Sequence, residues 1–223
     1  MICTMDSPLP PPGTRPVVAV VDDEPQVRRV LAAALAPLSP QVVEFGSVAE
    51  FASALASHRF DCAVLDLRLP DGTGLEAAAE VRSRNLPTSI VLVSGYANVR
   101  VAVQAMRDGV IEVLEKPVDP QELLSAVHWG VTVCQQRTAQ SLRAQELQRR
   151  MASLSESERE VLDLVLSGLP NKTIARNLHL GLRTVESRKQ SLYQKLGASS
   201  ISELVQIAIA AGVVPREPGA VAS

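Results

Sequence analysis

The sequence predicts an α/β fold with a doubly wound five-stranded parallel sheet, then a long linker helix, then a separate all-α domain of four helices. Three observations predict it. Between residues 17 and 130, short β-branched runs alternate five times with helix-periodic segments. That alternation is the pattern of a parallel sheet covered by helices on both faces. After residue 150 only helical segments follow. The charge is also divided: residues 1–130 carry 10 Lys and Arg against 16 Asp and Glu, net −6, and residues 131–223 carry 12 against 8, net +4. An acidic front suits a cation site and a basic back suits nucleic acid.

Taken in order, residues 1–16 read as a flexible tail, with five prolines between Ser7 and Pro16. VVAVV (17–21) reads as a buried strand. Pro25 opens a helix, since the first turn has no acceptors for its N–H groups. Val27, Val30, Leu31, Ala34 and Leu35 form its inner face, and Pro37 and Pro40 stop it. Strands follow at 41–45, 62–66, 90–93 and 111–114. Helices lie between them at 48–57, capped by Ser47, after the Pro70–Gly74 loop to about Arg84, and at 99–108, ended by Gly109. A long helix starts near Pro120. The polar stretch 135–150 continues it, on its Ala, Gln, Arg, Leu and Glu content.

The back domain begins with a capping box, Ser155 and Glu158. Helices are predicted from the Ser155 cap to the break at Leu169–Pro170, and at 171–178, 183–196 and 200–211. A turn through Gly181 makes the middle two a helix-turn-helix. Ile201, Leu204, Val205 and Ala208 are expected inward on the last helix. The domain limits read as an α/β domain 17–130, linker 131–152, helical domain 153–213 and a tail at 214–223.

Composition excludes several classes. The longest apolar stretch, Leu204–Val214, has 11 residues, against about 20 for a membrane span. The first 16 residues lack the pattern of a secretory signal. Three scattered cysteines make neither a disulfide framework nor a zinc site, which fits the cytoplasm. Aromatics at 3% are too few for a stacking platform or an aromatic ligand cavity.

Ligand sites in open α/β sheets lie at the carboxyl ends of the strands. Here those ends carry Asp22, Asp23 and Glu24, then Asp66, then Ser94, then Lys116. Carboxylates placed so close repel one another, and a divalent cation resolves the conflict. Mg²⁺ suits an all-oxygen site and keeps several waters. Asp66 can then act as a nucleophile toward a phosphoryl group and form an acyl phosphate. Lys116, Ser94 and the metal are placed to hold the phosphoryl oxygens.

The segments VVDDEP, LDLRLPDGTG, VSGYANVRVAVQAMRDGV and LEKP resemble the receiver domain of two-component response regulators, a flavodoxin-like fold. The resemblance covers about residues 17–130. It implies Asp66 as phosphoacceptor, with Asp22, Asp23, Asp66 and the backbone carbonyl of Arg68 as metal ligands. Ser94 matches the switch hydroxyl and Lys116 the phosphoryl-stabilising lysine. A cis Lys116–Pro117 bond is often found in such domains. One departure stands out: Val113 occupies the position of the usual switch Tyr or Phe. Tyr96 is a candidate substitute.

Residues 153–211 resemble the LuxR-type helix-turn-helix through Glu158-Arg159-Glu160, Gly168-Leu169, Asn171-Lys172, Thr184-Val185-Glu186 and Lys195-Leu196-Gly197. With the receiver, this matches the FixJ/NarL class of response regulators. Helix 183–196 buries Val185, Leu192 and Leu196. Ser187, Gln190, Ser191 and Gln194 are then offered to base edges, with Glu186 at the flank. Asn171, Lys172, Thr173, Arg183, Arg188, Lys189 and Lys195 are placed for phosphate, and Thr184 belongs to the same surface. Arg188 departs from a common His at that position.

Together these readings imply a cytoplasmic, phosphorylation-dependent transcription regulator. Its partners are a sensor histidine kinase, double-stranded promoter DNA, a second copy on phosphorylation, and RNA polymerase. No membrane and no enzymatic turnover of an external substrate are expected. A phosphohydrolase with an aspartyl nucleophile usually places a second acid two residues on, where this chain has Arg68. A ligand-sensing LuxR-type regulator would need a cavity in place of the carboxylate cluster.

Overall fold

The computed structural model describes residues 15–95 and 99–213, the side chains of 99–102 excepted. Tyr96 and nearly all of the two tails lie outside the described residues. Strands β1 (Val17–Val21), β2 (Gln41–Phe45), β3 (Cys62–Asp66), β6 (Ser89–Ser94) and β7 (Glu112–Glu115) form one sheet in the order β2-β1-β3-β6-β7. Every pairing in it is parallel. Two further strands, β4 (Arg68–Leu69) and β5 (Gly72–Thr73), form a small antiparallel hairpin just after β3.

Alternation along the strands divides the core into two layers. Ala19, Val21, Ala63, Leu65, Ile90 and Leu92 pack against α2 (Val48–Ala54), α3 (Gly74–Ser83) and α4 (Val99–Arg107). The three phenylalanines of the chain, Phe45, Phe51 and Phe60, meet there with ring centroids 5.7–5.8 Å apart. Val18, Val20, Cys62, Val64, Val91 and Val93 pack on the other side against α1 (Pro25–Ala34) and α5 (Pro120–Ala152). Burial on both faces is why these strands read as continuous apolar runs.

The chain splits into two compact units, through Ala139 and from Gln140, and the division falls inside the 33-residue α5. The second unit contains α6 (Glu156–Leu166), α7 (Asn171–Asn177), α8 (Leu182–Leu196) and α9 (Ile201–Ala210) around Leu162, Ile174, Val185, Leu192, Leu196 and Leu204. The capping box at Ser155 and Glu158 is present.

Several expectations are corrected. Val30 is 67% exposed, whereas Leu31 and Leu35 carry the inner face of α1. Ile201 is 52% exposed on α9, where Leu204 and Ala208 face the core and Ile207 packs beside them. In both helices an apolar residue sits at the edge of the stripe, and neighbouring elements do not reach it. α2 ends at Ala54, and residues 55–57 form turns. The turn between α7 and α8 runs through Gly181, which is the extended N-cap of α8 at φ −70°, while the positive φ of 53° falls on His179. Histidine is among the residues enriched there.

Candidate phosphoacceptor site and DNA-facing helix

β1 and β3 lie side by side in parallel register, so their carboxyl ends open on the same edge. Asp22 follows β1 and is 1% exposed, and Asp66 closes β3 half-buried. Asp23 is exposed beside them. The three carboxylates each offer an oxygen, all within 4.8 Å of one another. Lys116, just beyond β7, donates to Asp22 Oδ2 and to Asp66 Oδ2 at 2.8 Å each. Burial works to lower its pKa, but the two carboxylate hydrogen bonds and their charges outweigh that and hold the ammonium above the usual lysine value. The Lys116–Pro117 peptide is cis.

The surrounding backbone fixes these groups. Glu24 N–H donates to Asp22 Oδ1 at 2.9 Å, and Asp22 N–H donates to the Phe45 carbonyl at 3.2 Å. Lys116 N–H donates to the Ser94 carbonyl at 2.8 Å, which ties the lysine to the end of β6. Ser94 is 3% exposed. The hairpin after Asp66 is fastened by Asp71, whose carboxylate accepts from Val48 and Ala49 N–H at 2.9 Å each. These two bonds hold the exposed Asp71 carboxyl below its ordinary pKa. Gly74 opens α3 directly against the site: a Cβ there would stand 2.5 Å from the Asp66 carbonyl oxygen. No other residue fits that approach.

Three hard oxygen donors with a single ammonium among them leave a local excess of negative charge. One donor is buried and one exposed, so an ion held here keeps part of its water shell. That is the donor set and access Mg²⁺ prefers. Val113, at the expected switch-aromatic position, is half-buried and packs on the α2–α4 side of the sheet.

In the second unit, α8 exposes Arg183, Thr184, Glu186, Ser187, Gln190 and Gln194. Lys172 is exposed on α7, with Asn171 and Thr173 half-buried, and Lys189 Nζ donates to Asn171 Oδ1 at 3.3 Å. Arg188 is half-buried. Two expected DNA contacts are otherwise engaged. Ser191 Oγ donates to Glu158 Oε1 at 2.6 Å, and Lys195 Nζ donates to Glu158 Oε2 at 2.7 Å. Ser155 N–H completes the set at 2.8 Å. Glu158 is 6% exposed. The Lys195 and Ser191 hydrogen bonds lower its pKa to about 2. Ser191 therefore faces α6 rather than the open side of α8. Arg150, in the last turn of α5, donates to the Leu196 carbonyl at the end of α8 at 3.2 Å. Gly197 closes α8 in the left-handed conformation, φ 71°.

Sequence reasoning missed two residues here. Arg28 contacts the carbonyls of the acid pair, and no motif marks it. Glu158 was visible as a helix cap and in the Glu158-Arg159-Glu160 motif but not as the partner of Ser191 and Lys195, which lie 33 and 37 residues away.

Comparison with known proteins bears on both units. Residues 18–128 match the response regulator receiver domain, and residues 152–208 match the bacterial regulatory proteins of the luxR family. The chain is 36% identical over 200 residues to the transcriptional regulatory protein FixJ of Azorhizobium caulinodans, covering 90% of this chain and 95% of that one. It is 32% identical over 193 residues to the transcriptional regulatory protein TdiR of Thauera aromatica, covering 86% and 85%. Among solved structures, response regulator StyR aligns with a TM-score of 0.79 at 32% identity, covering 88% of this chain and 99% of that one. Full-length FixJ from B. japonicum aligns with a TM-score of 0.55 at 32% identity, covering 90% and 99%. Among the described residues, no helix is long and apolar enough to cross a membrane.

Proposed function

The chain belongs to the two-component response regulators of the FixJ/NarL class, and from that premise we propose that phosphorylation of Asp66 controls promoter binding through α8. The observation that carries the proposal is the cluster of Asp22, Asp23 and Asp66 around Lys116 in the same chain as a recognition helix. Asp66 attacks the phosphoryl group of a kinase phosphohistidine. The P–N bond breaks as the P–O bond to Asp66 forms, and the imidazole leaves. Asp22, Asp23, Asp66 and the Arg68 carbonyl would hold Mg²⁺. When bound, the ion neutralises charge on the phosphoryl oxygens.

Lys116 bridges Asp22 and Asp66, so it is already poised beside the oxygens that arrive. The new phosphoryl group carries about −1.5 to −2 charge. It draws the Lys116 ammonium and the Ser94 hydroxyl, and the Ser94–Lys116 backbone link couples the ends of β6 and β7. That change biases the face formed by α4 and β7 toward a second copy. Two heads on a two-fold site then bind more tightly than one. On α8, Ser187, Gln190, Gln194 and Glu186 read bases. Lys172, Asn171, Thr173, Arg183, Thr184, Arg188 and Lys189 hold the backbone. Contact with RNA polymerase, a cytoplasmic location and the lack of external turnover belong to the same proposal.

The test is sedimentation with Mg²⁺, with and without beryllofluoride, for the wild type and Asp66→Asn. A monomer-to-dimer shift in the wild type alone is expected. A shift in the mutant as well would remove Asp66 from the switch.

A further inference from the structure

We infer that Arg28 is a positioning residue for the metal site, acting through the backbone that carries Asp22 and Asp23. This rests on the reading of that cluster as a Mg²⁺ site. Arg28 lies on the first turn of α1. Its guanidinium Nη1 donates to the Asp22 carbonyl at 2.7 Å and approaches the Asp23 carbonyl at 3.4 Å. Its Nε pairs with Glu44 Oε2 at 3.2 Å on the edge strand β2. The side chain is only 17% exposed.

The placement runs against simple electrostatics. Three carboxylates already carry one ammonium. A second cation beside them lowers the negative potential that attracts a metal ion, so on charge alone Arg28 weakens cation binding. Geometry works in the other direction. Asp23 is the exposed member of the cluster, on the short connection between β1 and α1. Asp22 is fixed by Glu24 N–H, Lys116 and the Phe45 carbonyl. The Asp23 peptide gains its tether to the sheet edge from Arg28 and Glu44. The planar guanidinium reaches two carbonyls and a carboxylate at once, which an ammonium on a flexible stem cannot reproduce. Glu44 offsets the charge, leaving the fork. Partners that orient metal ligands commonly contribute 10–100-fold in metal affinity.

The two effects have opposite signs, so the sign of the change decides. Mg²⁺ and Mn²⁺ binding to the full chain is measured by calorimetry for the wild type, Arg28→Gln, Arg28→Lys and Asp23→Asn, with thermal unfolding of each metal-free protein as the folding control. The expected result is about tenfold weaker binding for Arg28→Gln, with Arg28→Lys recovering less than half of the loss. Tighter or equal binding by Arg28→Gln overturns the inference, because it leaves Arg28 with no net contribution to holding the metal. Full recovery by Arg28→Lys overturns it as well. If Arg28→Gln fails to fold, Glu44→Gln substitutes: it frees one end of the fork and is expected to weaken binding about threefold, and unchanged or tighter binding counts against Arg28. The underlying reading fails separately, if Asp23→Asn binds metal as tightly as the wild type.

Discussion

In the first unit Lys116 stands 2.8 Å from Asp22 and 2.8 Å from Asp66; in the second, Lys195 stands 2.7 Å from Glu158. The pairs look alike, with a lysine on a largely buried carboxylate, but their surroundings differ. Glu158 has both oxygens occupied, by Ser191 on one and by Lys195 and Ser155 N–H on the other. Its charge is matched one to one. Lys116 faces three carboxylates, one of them exposed. A balanced, fully bonded pair acts as a lock between helices, whereas a surplus of one charge at an open strand edge makes a binding site. The difference lies in the count of donors and charges around each pair, and the ion-pair distance does not reveal it.

The largest expected effect falls on the open cluster. Asp66→Asn removes the nucleophile and should abolish phosphoryl incorporation, measured with a labelled small acyl-phosphate donor and Mg²⁺. Incorporation equal to wild type would place the acceptor elsewhere and erase the contrast between the two pairs.

Next comes the lock. Glu158→Ala leaves Ser191 and Ser155 N–H without their acceptor and Lys195 with only the Ser153 carbonyl, and should destabilise the second unit by about 2–3 kcal/mol. Hydrogen exchange read by peptide should quicken in α6 and α8 and stay unchanged in β1 and β3. An equal change in both units would show that the lock is not local. The same pair gives a pH signature. The pKa of Glu158 in the folded protein is depressed to about 2, below its unfolded value near 4.3. Its contribution is therefore fully present above that unfolded value and is lost as pH falls toward 2. Protection of α6 and α8 should decline across that acid window in the wild type, with a flatter profile in Glu158→Gln.

A smaller contrast lies along α8 itself. Gln190→Ala, on the open face, should lose about 1–3 kcal/mol of discrimination between a selected duplex and random DNA. Ser191→Ala, one residue on, should keep the discrimination and lose about 1 kcal/mol of stability. The reverse assignment would return Ser191 to the reading face. Lys172→Ala should weaken binding to all sequences and lower the salt-dependence slope by about one.

The smallest effect is expected on α1. Val30→Ser should change stability by no more than about 0.5 kcal/mol, while Leu31→Ser at 5% exposure should cost several times more in denaturant titration. Equal costs would return Val30 to the core face.

How much could be read in advance follows the same division. The central strands β1, β3 and β6 were visible because burial on both faces leaves unbroken apolar runs, whereas the edge strands β2 and β7 show only short apolar pairs between polar residues. Asp22, Asp23, Asp66 and Lys116 were visible because each directly follows or closes a strand. The β4–β5 hairpin was not, since two-residue strands carry no period to detect. Val30 and Ile201 misled because a helical stripe marks the direction of the core but not how far the neighbouring elements extend.

The sequence by itself determined the order of the main strands and helices, the burial of the central strands on both faces, the residues at the carboxyl ends of the strands and the apolar face of α8. Those features depend on spacings of two to eight residues and on local backbone preference. Only the tertiary structure decided that Ser191 and Lys195 belong to Glu158, that Asp71 fastens the hairpin to α2, and that Arg28 grips the acid pair. The Glu158 and Asp71 contacts join groups that the sequence separates by 23 to 37 residues, and Arg28, only six residues from Asp22, reaches its carbonyl through the turn from β1 into α1. Hydrogen-bond and charge satisfaction is set by distance in space, and in all three cases it is the packing of one element on another that supplies the distance.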